Sequence, residues 1–162
     1  MDSNDSRSNI LHGELTGIVI GAVYEAFNEI GGGFNELIYR RALATVLRMR
    51  GLKVLEEDDV PVWFRGTVLA TFKPDIIVND VVLVEVKAVR EFEDWHTAQI
   101  LNYLKATTIE VGLLVNFGRR ADYKRFVMMN HRKRGGPPAA ETGITPCVGP
   151  HGAVSSSESS QS

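Results

Sequence analysis

Apolar residues recur with helical spacing in the first third of the chain. Between residues 14 and 30 they lie three or four positions apart, which is typical of one buried face of an amphipathic helix. Three consecutive glycines, residues 31–33, are expected to end this helix, because glycine readily adopts the conformation that follows a helix C-terminus. A second helix is predicted from about residue 35 to residue 50, where Gly51 would end it.

The middle of the chain carries short runs of β-branched and aliphatic residues, which predict strands. One helix, at about residues 94–106, is predicted among them, and its position allows a right-handed crossover between parallel strands. Together these elements predict an α/β fold with a mixed β-sheet flanked by helices. The predicted strands cover residues 53–55, 60–64, 67–78 with a bend at Pro74, 81–87, 111–117 and, as a last edge strand, 125–129.

Charged residues interrupt the apolar run at residues 81–87. Glu85 and Lys87 alternate with Val86, so their side chains point to the same face of the strand. An unpaired charge is costly to bury, so these two side chains need partners or a chemical task. Asp75 begins the other strand of the same predicted hairpin and can approach them. Two carboxylates and a lysine that converge at a sheet edge resemble a magnesium-dependent hydrolytic site. The alternative is an edge strand whose charges face water.

The length of the hairpin turn decides whether Asp75 and Glu85 can share a cation. A two-residue turn at residues 79–80 would direct the two carboxylates to opposite faces of the hairpin. A three-residue turn at residues 79–81 would pair Asp75 with Glu85 and place both carboxylates and Lys87 on one face. A shared metal site therefore requires the three-residue turn, or a bulge with the same effect.

Composition limits the class of protein. The chain has 162 residues, of which 44% are hydrophobic, and this is enough for one domain with a core. The net charge of -2 gives no broad electrostatic attraction for nucleic acid, so such binding would depend on a local patch. The single cysteine, Cys147, allows neither a disulfide nor a cysteine zinc site. We find no signal peptide and no apolar run of membrane-spanning length, so we expect a cytoplasmic protein without a membrane partner.

The two ends of the chain differ from its middle in composition. Residues 1–11 are polar, and residues 131–162 are rich in Gly, Pro, Ser and Thr. Such segments cannot bury a core, so both are expected to be disordered. One domain is therefore predicted at residues 12–130. No prediction of oligomeric state follows from the sequence.

Several short motifs occur in the order of a known nuclease pattern. The matching segments are residues 33–39 for GxxExxY, Pro74-Asp75 and Glu85-Val86-Lys87 for PD-(D/E)XK, Gln99 through Tyr103 for a following QxxxY element, and Asn116-Phe117-Gly118 after an apolar strand. Over about residues 12–128 the chain thus resembles the GxxExxY protein family, a branch of the PD-(D/E)XK nuclease superfamily. The resemblance implies a restriction-endonuclease-like αβββαβ core with a metal site at the sheet edge.

The resemblance also implies a set of metal ligands. Asp75 and Glu85 would bind Mg²⁺ or Mn²⁺ with help from the main-chain carbonyl of Val86. Glu36, on an early helix, would lie near the metal, as an early-helix acid does in many relatives. The alternative for Glu36 is a solvated helix start, where an acidic residue also suits the helix dipole.

Three further residues would complete the catalytic set that the resemblance implies. Lys87 would orient the attacking water or stabilise negative charge in the transition state. Gln99 and Tyr103 are four residues apart, so they share a helix face and would face the site. The alternative for this pair is the ordinary polarity of an amphipathic helix.

Candidate contacts to nucleic acid are less clearly defined by the sequence. His96 shares a helix face with Gln99 and could contact a phosphate, although a surface histidine at the helix start would fit the same pattern. Arg119 and Arg120 belong to a basic cluster after the strand at residues 111–117. This cluster is the best candidate for binding a nucleic-acid backbone, and a solvated loop is its alternative.

Two classes of function are consistent with these motifs. The first is a metal-dependent nuclease that hydrolyses phosphodiester bonds, with DNA favoured over RNA as the substrate. The second is a non-catalytic module that kept the fold and binds nucleic acid or a protein. The presence of Asp75, Glu85 and Lys87 together favours the enzyme, because each charge is expensive near a core without a metal.

Overall fold

The structure, a computed structural model, describes residues 10–133. Residues 1–9 and 134–162, which form most of the two segments predicted to be disordered, lie outside the described residues, as does Cys147. Within the described range, Leu11 packs against the core. At the other end, the ammonium group of Lys133 donates hydrogen bonds to two main-chain carbonyl oxygens.

Residues 10–133 form three α-helices and seven β-strands. The helices are α1 (Gly13–Ile30), α2 (Glu36–Met49) and α3 (Asp94–Ala106), and a short 3-10 helix covers Asn130–Arg132. The strands are β1 (Val54–Glu56), β2 (Val60–Phe64), β3 (Thr67–Phe72), β4 (Ile76–Val78), β5 (Val82–Lys87), β6 (Val111–Phe117) and β7 (Ala121–Val127).

Five of the strands form one mixed sheet in the order β1-β4-β5-β6-β7. Strands β5 and β6 are parallel and are connected through α3, while the other neighbouring pairs are antiparallel. This arrangement confirms the predicted α/β fold with a mixed sheet and a helical crossover. The last edge strand, β7, begins and ends earlier than the predicted residues 125–129.

The predicted continuous strand at residues 67–78 is wrong. Its first half, β3, pairs with β2 in a separate two-stranded sheet, and its second half, β4, belongs to the main sheet. Pro74 lies in the break between them and has no N–H to donate to a neighbouring strand. The turn of the separate hairpin is made by Arg65 and Gly66, which both have positive φ angles.

Apolar side chains cover both faces of the main sheet. One face packs against α1 and α2 around residues such as Leu43, Val84 and Val115. The other face packs against α3, where Leu83, Ile100 and Leu114 meet. Strands β5 and β6 are consequently buried along their whole length, as expected for the centre of a parallel sheet. No helix within residues 10–133 is long and apolar enough to cross a membrane.

The hairpin of β4 and β5 has the three-residue turn that a shared metal site requires. Val78 pairs with Val82 and Ile76 with Val84, so the three-residue register is confirmed. Asn79 and Asp80 adopt left-handed conformations with φ angles of 49° and 60°, which short Asx side chains tolerate. The carboxylates of Asp75 and Glu85 can therefore approach each other.

Two contacts fix the segment that follows β5. The Asn116 side-chain amide accepts a hydrogen bond from the N–H of Val89 at 2.9 Å and donates one to its carbonyl oxygen at 2.8 Å. This two-way contact extends the pairing of β5 and β6 beyond Lys87. Gly118 lies so close that an added Cβ would be 2.1 Å from the same carbonyl oxygen. The chain can therefore follow this path only with glycine at position 118.

Candidate active site

The C-terminal end of β5 carries a buried ion pair. Glu85 and Lys87 are 3% and 5% exposed, and the ammonium nitrogen of Lys87 lies 3.2 Å from Oε1 of Glu85. Their positions two residues apart place both side chains on one face, as the strand pattern predicted. Burial of two charges costs several kcal/mol per ion unless they are well paired and hydrogen-bonded. Burial of Glu85 and Lys87 in β5 therefore has a free-energy cost that the fold alone does not require.

Asp75 lies against the same strand from the start of β4. Its Oδ2 accepts a hydrogen bond from the main-chain N–H of Val86 at 2.7 Å. Its Oδ1 lies 3.5 Å from a guanidinium nitrogen of Arg40 on α2. The carboxylate is thus anchored between a strand and a helix, with Glu85 and Lys87 beside it.

Burial disfavours ionisation of both carboxylates, and the charge of Asp75 adds to this effect at Glu85. Burial and the nearby charge of Asp75 raise the pKa of Glu85 to about 7, against a partial opposing effect of Lys87. Burial also raises the pKa of Asp75, although the Val86 N–H, Lys87 and Arg40 oppose the shift. Near neutral pH the site therefore has a tendency to hold a proton, and a cation bound between the carboxylates would instead favour their ionised form.

The oxygen atoms at this site suit a hard cation. Oε2 of Glu85 and Oε1 of Gln99 are buried, and neither has a hydrogen-bond partner among the described residues. Buried acceptors without a donor are uncommon and call for a water, an ion or a substrate group. Carboxylate and carbonyl oxygens are also the ligands that Mg²⁺ prefers. The donor set thus fits a divalent metal in its chemistry.

The described residues do not, however, form a complete cage of acidic and imidazole ligands. No group of three or more His, Cys, Asp and Glu side chains is arranged to hold a metal ion within residues 10–133. Glu36 is exposed at the start of α2, and its Oε1 lies 3.4 Å from the N–H of Ala88 at the end of β5. It is therefore near the strand end without joining Asp75 and Glu85 in one cluster.

Gln99 and Tyr103 are joined in the way that their spacing on α3 predicted. The side-chain N–H of Gln99 donates to the phenolic oxygen of Tyr103 at 3.0 Å. Burial is the main cause that raises the pKa of Tyr103, and the charges of Glu85 and Asp75 add to it. The contact fixes the Gln99 amide so that its oxygen remains free as an acceptor.

His96 is not the surface histidine that one interpretation of its pattern predicted. It is fully buried, and its Nδ1 accepts a hydrogen bond from the N–H of Glu93 at 2.8 Å as part of a capping box at the start of α3. Burial lowers its pKa, so the neutral form is favoured. The cap uses Nδ1 only, and Nε2 is buried without a hydrogen-bond partner among the described residues.

Arg119 and Arg120 are exposed in the turn between β6 and β7. Because β5 and β6 are parallel and Lys87 pairs with Asn116, this turn lies at the same sheet edge as Lys87. Neither arginine has an ion-pair partner within residues 10–133. They remain candidates for contacts to a nucleic-acid backbone.

Sequence reasoning missed two residues of the site. Arg40 contacts both Asp75 and Glu57, and the signal that could have found it is its position one helical turn after Glu36. Trp95 is 56% exposed and lies beside Lys87. Its exposure could not be read from a helical pattern, because tryptophan is usually largely buried.

Comparison with known proteins identifies the family. A family model of the PD-(D/E)XK nuclease superfamily matches residues 13–126. The chain belongs to this superfamily. The match spans the segments that carry Asp75, Glu85 and Lys87, and superfamily membership implies a nucleic-acid substrate.

Solved structures and curated sequences add little to this assignment. An alkaline exonuclease (LHK-Exo) from Laribacter hongkongensis is 14% identical, covers 81% of this chain and 74% of its own, and gives a TM-score of 0.46. The structure of SSO0001 is 15% identical, covers 74% of this chain and 80% of its own, and gives a TM-score of 0.44. No curated protein sequence matches the chain.

Proposed function

We propose that the protein is a divalent-metal-dependent nuclease that hydrolyses phosphodiester bonds, with DNA favoured over RNA. The observation that carries this proposal is the buried carboxylate of Glu85 beside Asp75. One of its oxygens contacts Lys87, and the other has no hydrogen-bond partner within residues 10–133. A free carboxylate oxygen, a second carboxylate and a fixed ammonium group are the parts that metal-assisted phosphodiester hydrolysis needs.

The proposed metal is Mg²⁺ or Mn²⁺, held by Asp75, Glu85 and the carbonyl of Val86. Glu36 of α2 would be a further ligand only if its carboxylate left the N–H of Ala88. When bound, such a cation lowers the pKa of water and neutralises negative charge on the phosphate. Arg40 contacts Asp75 and supplies part of the positive charge that the carboxylates need. Its guanidinium would have to yield some of that contact to the cation.

Lys87 and Gln99 have distinct proposed roles. Lys87 is fixed by Glu85, so its ammonium group presents a preorganised positive charge to the phosphate as negative charge develops. The free amide oxygen of Gln99 can accept a hydrogen bond from the attacking water and thereby orient it. Tyr103 acts as a positioning residue, because its hydroxyl group fixes the other end of that amide.

We further propose that the chain belongs to the GxxExxY branch of the superfamily. The support is the match at Gly33, Glu36 and Tyr39. Tyr39 is buried and its hydroxyl donates to the carbonyl of Gly31 at 2.7 Å, so it ties the end of α1 to α2 and thereby orients the helix that carries Glu36. A cytoplasmic location remains a prediction from the sequence.

A non-catalytic binding module is the second candidate. One observation favours it: Arg40 pairs with Asp75, and Lys87 pairs with Glu85. In such a module the same residues would form a structural ion-pair network, and neither Mg²⁺ nor Mn²⁺ would alter it.

A cleavage assay separates the two candidates. The purified protein is incubated with labelled single-stranded and duplex DNA and RNA in Mg²⁺, Mn²⁺ or EDTA. The nuclease proposal expects cleavage that requires metal, is lost in Glu85→Gln and is retained in Glu29→Gln, which changes an exposed glutamate on α1. Absence of cleavage on every substrate and with both metals would overturn the nuclease proposal.

A further inference from the structure

An exposed tryptophan stands at the opening of the candidate site. Trp95 is the second residue of α3, and 56% of its surface is exposed. Tryptophan carries a large apolar area, so its exposure has a hydrophobic cost that ligand binding would recover. The ring lies beside a lysine that is itself 5% exposed.

The position of the indole ring is fixed by three contacts. Its Nε1 donates a hydrogen bond to a carboxylate oxygen of Glu93 at 3.0 Å. Its ring centroid lies 3.9 Å from that of His96, and the Lys87 ammonium nitrogen lies over the ring at 5.3 Å from the centroid. A flat surface that is already held in place loses little conformational freedom when a ligand covers it.

We propose that Trp95 is a stacking platform for an unpaired base next to the scissile phosphate, so that the site takes single-stranded nucleic acid. This inference rests on the proposed nuclease function. A phosphate held by Lys87 brings its own nucleotide to the exposed ring. Every base has a π-face that can stack on an aromatic side chain. In a duplex both faces of an internal base are covered by its neighbours, so only an unpaired or extruded base can use this surface.

A purely local role for Trp95 predicts a different behaviour. If the indole only covers Lys87, removal of the indole would weaken the binding of all nucleic acids equally, because the lysine would contact a phosphate that every substrate has. A stacking platform instead contributes to the binding of single strands and adds little to the binding of paired duplex. The ratio of the affinity for single strands to the affinity for duplex therefore distinguishes the two roles.

Binding is measured in EDTA so that no cleavage occurs, with a short oligothymidine and a blunt duplex as probes. We expect Trp95→Ala to weaken oligothymidine binding by about 5- to 100-fold, the range supplied by stacking of one base, and duplex binding by less than about twofold. Trp95→Phe should restore much of the loss, since phenylalanine keeps an aromatic face.

Phe64 provides a matched control. It is also 56% exposed, and it has a cation 5.3 Å from its ring centroid, the guanidinium of Arg65 at the tip of the separate hairpin. Phe64→Ala should leave both affinities unchanged. An equal loss in Phe64→Ala and Trp95→Ala would overturn the inference, because it would show a general effect of exposed aromatic residues.

Fluorescence gives a readout that does not depend on the stability of Trp95→Ala. In a Trp63→Phe background, Trp95 is the remaining tryptophan, and oligothymidine should quench its emission while duplex DNA should not. Unchanged emission with bound oligothymidine, or equal quenching by both probes, would overturn the stacking role and leave the nuclease proposal intact. If the wild-type protein binds no nucleic acid at all, both proposals fail.

Discussion

Neutralising Glu85 should stabilise the metal-free protein while it removes activity. The pKa of this buried carboxyl is raised from 4.5 to about 7, mainly by burial and by the charge of Asp75. Because the carboxyl binds a proton more tightly in the folded than in the unfolded state, stability rises as the pH falls from about 8 towards 5. At pH 8 the ionised Glu85 therefore works against folding.

The magnitude follows from the two pKa values. A rise from 4.5 to about 7 corresponds to roughly 3 kcal/mol of unfolding free energy at pH 8, since one pKa unit is worth about 1.4 kcal/mol. Glu85→Gln removes this cost but exchanges a charged partner of Lys87 for a neutral one. The pKa of Glu85 already includes this difference, because it compares the charged carboxylate with the neutral carboxyl group beside Lys87. We therefore expect the free energy of unfolding of Glu85→Gln to exceed that of wild type by up to about 3 kcal/mol at pH 8 and by less than about 1 kcal/mol at pH 5.

Urea unfolding in EDTA at pH 8 and pH 5 measures this difference. Wild type and Glu85→Gln are compared at each pH, so the opposing effect of His96, whose lowered pKa destabilises the fold in acid, cancels. Glu29→Gln removes an exposed carboxylate, and its free energy of unfolding should differ from that of wild type by less than about 0.5 kcal/mol. A Glu85→Gln protein that is less stable than wild type at pH 8 would refute the reasoning, because the ion pair with Lys87 would then be a net stabilising contact.

Two further predictions concern the strand end and the segment that follows it. Lys87→Met should abolish metal-dependent cleavage, because it removes the ammonium group that is proposed to face the phosphate; near-wild-type cleavage would remove Lys87 from the mechanism. Gly118→Ala should lower the free energy of unfolding by about 1–3 kcal/mol, because its Cβ would lie 2.1 Å from the carbonyl oxygen of Val89. Gly32→Ala is its control, since the nearest atom would be at 3.8 Å, and equal urea midpoints for the two variants would contradict the close approach.

The core of the site could be predicted because its signals are local. Strand alternation places Glu85 and Lys87 on one face, and the short side chains of Asn79 and Asp80 permit the left-handed turn that brings Asp75 across from Glu85. Each of these inferences depends on residues that are close in sequence. The same holds for the contact between Gln99 and Tyr103, which are one helical turn apart.

The remaining features depend on contacts between distant segments. The separation of β3 from β4 reflects the pairing of β3 with β2, and a strand pattern with a proline is equally consistent with a simple bend. The burial of His96 and the ion pair of Arg40 with Asp75 arise from how α3 and α2 pack on the sheet. A helical pattern gives the face of a residue but not what covers it.

Isothermal titration with Mg²⁺ and with Mn²⁺ tests the central claim most directly, because the claim is that Asp75 and Glu85 together bind a divalent cation. Wild type and Glu85→Gln are titrated at pH 8, where the variant is expected to be at least as stably folded as wild type. The account predicts saturable binding to wild type that is lost or greatly weakened in Glu85→Gln. Equal binding to both proteins, or no binding to wild type at millimolar metal, would contradict it.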